Sequence, residues 1–252
     1  GESVEQPLMY YRNNVVGLVS LLESMQKAGC NRMVFSSSCT VYGEPESVPV
    51  KESTPTRPAA SPYGATKQMG EEVLENVSKA NDINVITLRY FNPIGAHESA
   101  RIGEIQHGVP HHLIPYITET AVGKRKQLNV FGGDYKTHDG TCVRDYIHVV
   151  DLAKAHIAAI SRLIDNKNEQ KMEIYNIGTG LGYSVLDIIG AFEKATGLKI
   201  NYQIVDRRPG DVEAVYADTS LAEQKLNWKA SLGIEDMMRS AWNWEQALGA
   251  KK

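Results

Sequence analysis

Apolar residues recur at helical spacing at Val15, Leu18, Val19, Leu22 and Met25, and Gly29 follows as a stop. The pattern predicts a helix there. Arg32 to Ser36 then reads as a strand. A loop punctuated by Pro45, Pro49, Pro55, Pro58 and Pro62 follows. A second helix is predicted from about Tyr63 to Lys79, and "INVITLRYF" reads as a strand ending at Asn92-Pro93. Helix, strand, helix and strand in this order predict an α/β fold, a parallel sheet with helices on its faces.

The second half is more mixed. "KQLNVFG" and "KINYQIVD" have strand character, and "DLAKAHIAAISRLI" reads as a helix with Asp151 as candidate N-cap. In "YSVLDIIGAFEKATG", Ser184 and Asp187 are spaced like a capping box, and Gly197 follows the helix. A last helix is predicted from about Ile234 to Leu248, carrying Trp242 and Trp244. No repeat, low-complexity tract or clean linker divides the chain, which predicts a smaller C-terminal lobe interleaved with the sheet.

Composition narrows the class. The 252 residues, 42% hydrophobic, suffice for a sizeable core. A net charge of -3 with mixed signs leaves no basic stripe for nucleic acid. Apolar runs are as short as "HIAAI", so no membrane span is expected. Cys30, Cys39 and Cys142 are odd in number and lack metal-ligand spacing. They read as reduced thiols in a cytoplasmic setting, and no metal site is expected. The chain opens on "GESVEQPLMYYRNN", with neither Met nor a strand, so an upstream part is expected.

The candidate chemistry lies in "VFSSSCTVYGEP" and "SPYGATKQMGEE". The first gathers hydroxyls where a strand ends. The second puts Tyr63 four residues before Lys67, on one helix face a turn apart. A free tyrosine, with a pKa of about 10, is a poor base at neutral pH, and a neighbouring ammonium favours its phenolate. Tyr-x-x-x-Lys alone is a common surface pattern. Its place after a hydroxyl-rich strand end in a βα alternation points to acid–base work, because ligands bind at the carboxyl ends of parallel strands.

These residues resemble the extended short-chain dehydrogenase/reductases. The blocks "GESV", "FSSSCTVYG", "PYGATK", "LRYFNPIGAH", "GTCVRDYIHVVDLAKAHIAAI", "YNIGTGLGYSV" and "RRPGDVEAVYAD" narrow the resemblance to the UDP-glucose 4-epimerase family, from Gly1 nearly to Trp244. The resemblance implies a Rossmann-like doubly wound parallel sheet without its first strands. Residues 1–92 would be the remainder of an NAD-binding domain. Residues 93–252 would be mainly a UDP-sugar lobe, with about 143–178 returning to the first domain.

It further implies that Tyr63 removes the sugar 4-hydroxyl proton while NAD takes the C4 hydride. The 4-keto sugar turns over and the hydride returns to the other face, a step of galactose metabolism. Lys67 would hold the nicotinamide ribose and lower the tyrosine pKa. Ser38 would bond the 4-oxygen, with Cys39 and Thr40 beside it. Ser36 and Ser37 read as backbone partners at the strand end. Asn14 and Tyr90 complete the cofactor side. The implied substrate contacts are Tyr90, Phe91, Asn92, His111, His112, Leu113, the uracil strand Asn129, Val130 and Phe131, the diphosphate clamps Arg144 and Arg208, then Pro209, Gly210, Asp211 and Val215. A homodimer built on the helices after Tyr10 and at Tyr63 is also implied.

Three departures from the family stand out. No glycine-rich turn for the NAD pyrophosphate opens the chain. The glycines of Gly178-x-Gly180-x-Gly182 imitate it with the wrong spacing. The expectation is that these residues alone bind NAD poorly and are inactive. His111 and His112 replace the usual asparagines. Val215 stands where a small residue admits an N-acetyl group, so UDP-GlcNAc is an expected second substrate. The nearest rival is a nucleotide-sugar 4,6-dehydratase, which needs a carboxyl pair beside the catalytic hydroxyl, yet the neighbours are Cys39, Thr40 and Val41. A non-catalytic nucleotide-sugar or cofactor sensor is the alternative of a different class.

Overall fold

A computed structural model describes residues 2–105, 108, 110, 112–208 and 210–249. Helices α1 (Glu2–Glu5) and α2 (Pro7–Tyr11) lead through a π-helical stretch, Arg12–Val16, into α3 (Gly17–Lys27). Then come β1 (Arg32–Ser38), a 3-10 turn at Cys39–Tyr42, α4 (Pro62–Ala80), β2 (Asn84–Tyr90) and β3 (Asn92–Ile94). Next are α5 (Leu113–Ala121), β4 (Leu128–Phe131), β5 (Val143–His148), α6 (Val149–Ile164) and β6 (Met172–Ile177). The chain continues through β7 (Gly182–Ser184), α7 (Val185–Thr196), β8 (Tyr202–Val205), β9 (Ala214–Val215), α8 (Ser220–Leu226) and α9 (Ile234–Gly249).

The chain divides into two units. The first is Gly1–Phe91, Lys154–Ile177 and Ala217–Lys229; the second is Asn92–Ala153, Gly178–Tyr216 and Ala230–Lys252. Of the stretch expected to rejoin the first unit, the part carrying β5 stays in the second. The return of Ala217–Lys229, which carries α8, has no linker or composition shift to announce it.

The first unit is built on a parallel sheet in the order β1-β2-β6. Val85 to Arg89 of β2 are all buried, so both faces of the middle strand are covered. Leu18 and Leu22 of α3 and Leu74 of α4 pack with Ile83 and Val85. Serines form strands weakly, yet β1 runs two residues past the expected end, because Ser37 and Ser38 pair in register with Arg89 and Tyr90. The N-cap Ser61 accepts from the Gly64 amide at 3.2 Å, and Pro62 takes the first helical position of α4.

In the second unit β5 pairs with β3 and β9 in parallel and with β7 antiparallel, while β4 and β8 form a separate parallel pair. The core joins Ile117 of α5, Val130 of β4, Ile188 and Phe192 of α7, and Met237 and Met238 of α9. The capping box forms, with Ser184 Oγ and Asp187 Oδ2 each accepting at 2.9 Å from the other's amide, and Gly197 ends α7 at φ 74°.

Asp151 is a correction. Helix α6 starts two residues earlier, and the wholly buried Asp151 carboxylate accepts from the amides of Ser231 and Leu232 at 2.7 and 2.8 Å. It anchors a distant loop instead of capping its own helix. Among the described residues no helix is long and apolar enough to cross a membrane.

Candidate active site

In the first unit, the chemistry gathers at the carboxyl ends of two paired strands. Ser38 closes β1 and Tyr90 closes β2, in register with each other. Tyr63 and Lys67 stand on the first turns of α4. The Ser38 hydroxyl accepts from the Thr40 amide at 3.3 Å, and it lies near enough to the Tyr63 phenol to favour its ionised form. Lys67 Nζ donates to the Ser36 carbonyl at 2.9 Å and lies 5.5 Å from the centre of the Tyr63 ring.

Burial raises the Tyr63 phenol above its ordinary pKa; the Ser38 hydroxyl opposes that and Cys39 adds to it. Burial lowers the Lys67 ammonium. The ammonium points to the Ser36 carbonyl, and Ser38 is the group that favours the phenolate.

Ser36 and Ser37 are also corrected, because their hydroxyls find side chains instead of backbone. Ser37 Oγ donates to Glu71 at 2.5 Å, and Ser36 Oγ bonds the Tyr90 hydroxyl at 2.6 Å. The Tyr90 hydroxyl also meets His156 Nε2, and burial pushes its pKa up to about 12. His156 was missed at sequence level; its signal was one polar side chain at the head of the apolar run "HIAAI". Tyr10 was missed too, and its ring meets Tyr63 edge-on at 6.2 Å. Asn14 donates to Thr66 Oγ1 at 2.9 Å, and Thr66 Oγ1 donates to the Tyr63 carbonyl at 2.7 Å. Asn14 thus steadies the first turn of α4. In the 3-10 turn Cys39 is half-buried and Thr40 exposed. Phe91 is 3% exposed, so its side chain belongs to the core and not to a ligand surface.

The second unit holds the other candidates. Arg144, Arg208 and Asp211 converge: the Asp211 carboxylate accepts from Arg208 Nε at 3.0 Å and from Arg144 Nη2 at 3.5 Å. The Arg208 guanidinium lies 4.9 Å over the Phe131 ring. Strand alternation splits the expected uracil strand. Asn129 is exposed and accepts from Gln203 at 2.9 Å, whereas Val130 is 1% exposed and faces the core. That removes the Val130 side chain from the contact set. Asn92 donates to the Asp145 carbonyl at 2.8 Å. His112 is exposed at the N-cap of α5 without capping it, and Leu113 begins that helix half-buried. Gly210 turns at φ 81°, and Val215 is buried opposite Arg144 in register. His111 and Pro209 lie outside the described residues.

The imitation glycine loop has its own ligand. The wholly buried Asp145 accepts from the amides of Thr179 and Gly180 at 2.8 and 3.0 Å and from the Thr179 hydroxyl at 2.7 Å. A Cβ at position 178 would strike the Asp145 carboxylate. These amides serve an internal anion, so the loop does not offer them to a pyrophosphate.

A family model described as GDP-mannose 4,6 dehydratase matches residues 1–241. UDP-glucose 4-epimerase 2 of Arabidopsis thaliana is 56% identical over 97% of this chain and 69% of its own length. The chain belongs to the UDP-glucose 4-epimerase family. A crystal structure of the family from Stenotrophomonas maltophila, with bound NAD and formylated UDP-arabinopyranose, superposes with a TM-score of 0.96 at 47% identity. It covers 100% of this chain and 74% of that one. The Bifidobacterium longum member, in complex with NAD+ and UDP, has a TM-score of 0.91 at 50% identity, covering 98% and 73%.

The epimerase family is NAD-dependent, and the first unit fits one end of that cofactor. Lys67 uses one of an ammonium's three donors on Ser36, which leaves donors for a ribose beside the hydroxyls of Ser38, Tyr63 and Tyr90.

Proposed function

We infer that this chain carries the epimerase chemistry of its family, interconverting UDP-galactose and UDP-glucose through a 4-keto sugar in galactose metabolism. The observation that carries it is the Ser38–Tyr63–Lys67 set at the ends of β1 and β2. Bound NAD supplies the hydride acceptor and donor for sugar C4. Tyr63 takes the proton from the 4-hydroxyl and returns it. Ser38 has one O–H to give, and donates it to the sugar 4-oxygen or to the phenolate at different stages of the proton transfer. Lys67 and Tyr90 hold the nicotinamide ribose end, and Asn14 fixes the turn that presents Tyr63. The guanidinium forks of Arg144 and Arg208 suit a diphosphate, and the half-buried Phe131 ring beside Arg208 suits the uracil ring. In this reading the first unit is the NAD-binding domain and the second the UDP-sugar lobe.

The test is turnover of UDP-galactose by an NAD-loaded protein that carries these residues together with a glycine-rich pyrophosphate turn, and by its Tyr63→Phe variant. Turnover by the parent and its loss in a folded variant are expected; an active variant refutes the assignment. The family-model description favours a 4,6-dehydratase as second reading. That reading lacks its acid: the turn after Ser38 is Cys39, Thr40 and Val41, and Glu44 is exposed beyond it. Release of a 4-keto-6-deoxy sugar would restore it.

Three finer points belong to the same proposal. Val215 is small, which supports turnover of UDP-GlcNAc; no turnover beside good turnover of UDP-galactose refutes it. Leu8 on α2, Val16 just before α3 and Met69 on α4 are 82%, 58% and 42% exposed, which supports a homodimer through these helices, checked by light scattering. No disulfide joins the three cysteines, which supports a cytoplasmic setting, checked by fractionation.

A further inference from the structure

Tyr63, Lys67 and Glu71 follow one another at four-residue steps along a single face of α4. The first two carry the chemistry inferred above. The third points into the protein. Its carboxylate accepts from Ser37 Oγ at 2.5 Å and takes a two-pronged fork from Arg89, with Nε at 3.0 Å and Nη2 at 2.6 Å. Glu71 is 8% exposed, Arg89 4% and Ser37 1%. Ser37 immediately precedes Ser38 on β1, and Arg89 immediately precedes Tyr90 on β2. One buried carboxylate therefore ties the helix bearing Tyr63 and Lys67 to both strands, each one residue from a site hydroxyl.

A buried ion pair gives up strong hydration that an apolar pair never had, so its presence here is weak evidence of a stabilising role. What it adds is direction. Apolar packing lets a helix roll and slide by fractions of an ångström, whereas a planar fork onto a carboxylate fixes both rotation and distance. The outer face of Arg89 lies 4.8 Å over the Tyr42 ring, and its Nη1 reaches the Glu52 carbonyl at 3.4 Å, so the guanidinium itself is held.

We propose that Glu71, with Arg89 and Ser37, is a positioning residue for catalysis: it sets the rotation of α4 so that the Tyr63 hydroxyl meets Ser38. The proposal rests on the epimerase reading for its kinetic consequence and on geometry alone for its structural one.

The test is the triple variant Ser37→Ala/Glu71→Met/Arg89→Met in the NAD-loaded enzyme, which removes both charges and the hydroxyl together and leaves no buried charge without a partner. It folds, and kcat for UDP-galactose falls about 100-fold, the cost of a misplacement of roughly 1 Å, while KM stays within about twofold. A crystal structure of the variant shows the Tyr63 hydroxyl withdrawn from Ser38. A folded variant with parental kcat, or with that hydroxyl in place, overturns the proposal. If the triple variant does not fold, Glu71→Gln decides on the same two readings, since it keeps one acceptor oxygen and sets a donor against Arg89. A parent without epimerase turnover, beside a displaced Tyr63 hydroxyl in the variant, sinks the functional reading and leaves the clamp standing.

Discussion

In the first unit the charged pair nearest the chemistry is as buried as core. The Arg89 and Glu71 side chains are 5% and 10% exposed. In the second unit the corresponding convergence is only partly at the surface: the Arg208 side chain is 55% exposed, while those of Arg144 and Asp211 are 17% and 15%. The first site stands on seven-residue strands and a 19-residue helix. The second stands on the six-residue strand that carries Arg144, a four-residue strand, a two-residue strand and a turn. Chemistry that needs sub-ångström alignment is placed on regular elements with inward bonds. In the proposed reading, recognition of the UDP-sugar falls to short strands and a turn, where only the Arg208 fork is well exposed.

Each prediction presses on that contrast. The largest effect is Tyr63→Phe, expected to lower kcat by about 10²–10⁴, the usual contribution of one acid–base group, with KM for the UDP-sugar unchanged by steady-state assay. Ser38→Ala removes one donor to the developing charge and is expected to cost about 10²-fold in kcat, again at constant KM. Arg208→Ala should show the opposite split. Loss of a charge-assisted fork raises KM about tenfold to a hundredfold and leaves kcat within a few fold. If Arg208→Ala lowers kcat and spares KM, the division between the units fails.

The smallest effect is on stability at high pH. Tyr42 is wholly buried and burial pushes its phenol up to about 12; Tyr90 is likewise raised to about 12. Unfolded tyrosine ionises near pH 10, so between about pH 10 and 12 the unfolded chain loses protons that the native protein keeps. That contribution is whole below about pH 10 and is lost as pH rises toward about 12. Urea midpoints measured across this range should fall, and Tyr42→Phe should flatten the slope; an unchanged slope shows that Tyr42 is not the group.

Much of the first site was legible because it obeys periodicity. Tyr63 and Lys67 are a helical turn apart, and Ser38 closes a strand, so a linear reading finds all three. Glu71 continues the same spacing, but one carboxylate on a helix looks like any solvated charge until its partners are known. His156 and Tyr10 stayed hidden for the same reason: their partners, Tyr90 and Tyr63, lie far away in sequence. Asp151 shows the converse. Local pattern offered it a cap, and a loop eighty residues later supplied better donors.

What the sequence determined by itself was the α/β class, the order of the main elements and the three residues proposed as the acid–base set. Spacing carries that information, since a helix repeats every 3.6 residues and a strand every two. Only the tertiary structure decided where the buried charges point. It put Glu71 on Ser37 and Arg89, Asp145 in the glycine loop and Asp151 on the Ser231 loop. A carboxylate carries no mark of burial in its neighbours along the chain. Its environment is fixed by donors that folding brings to it, and each buried charge here is tolerated because several of them arrive together.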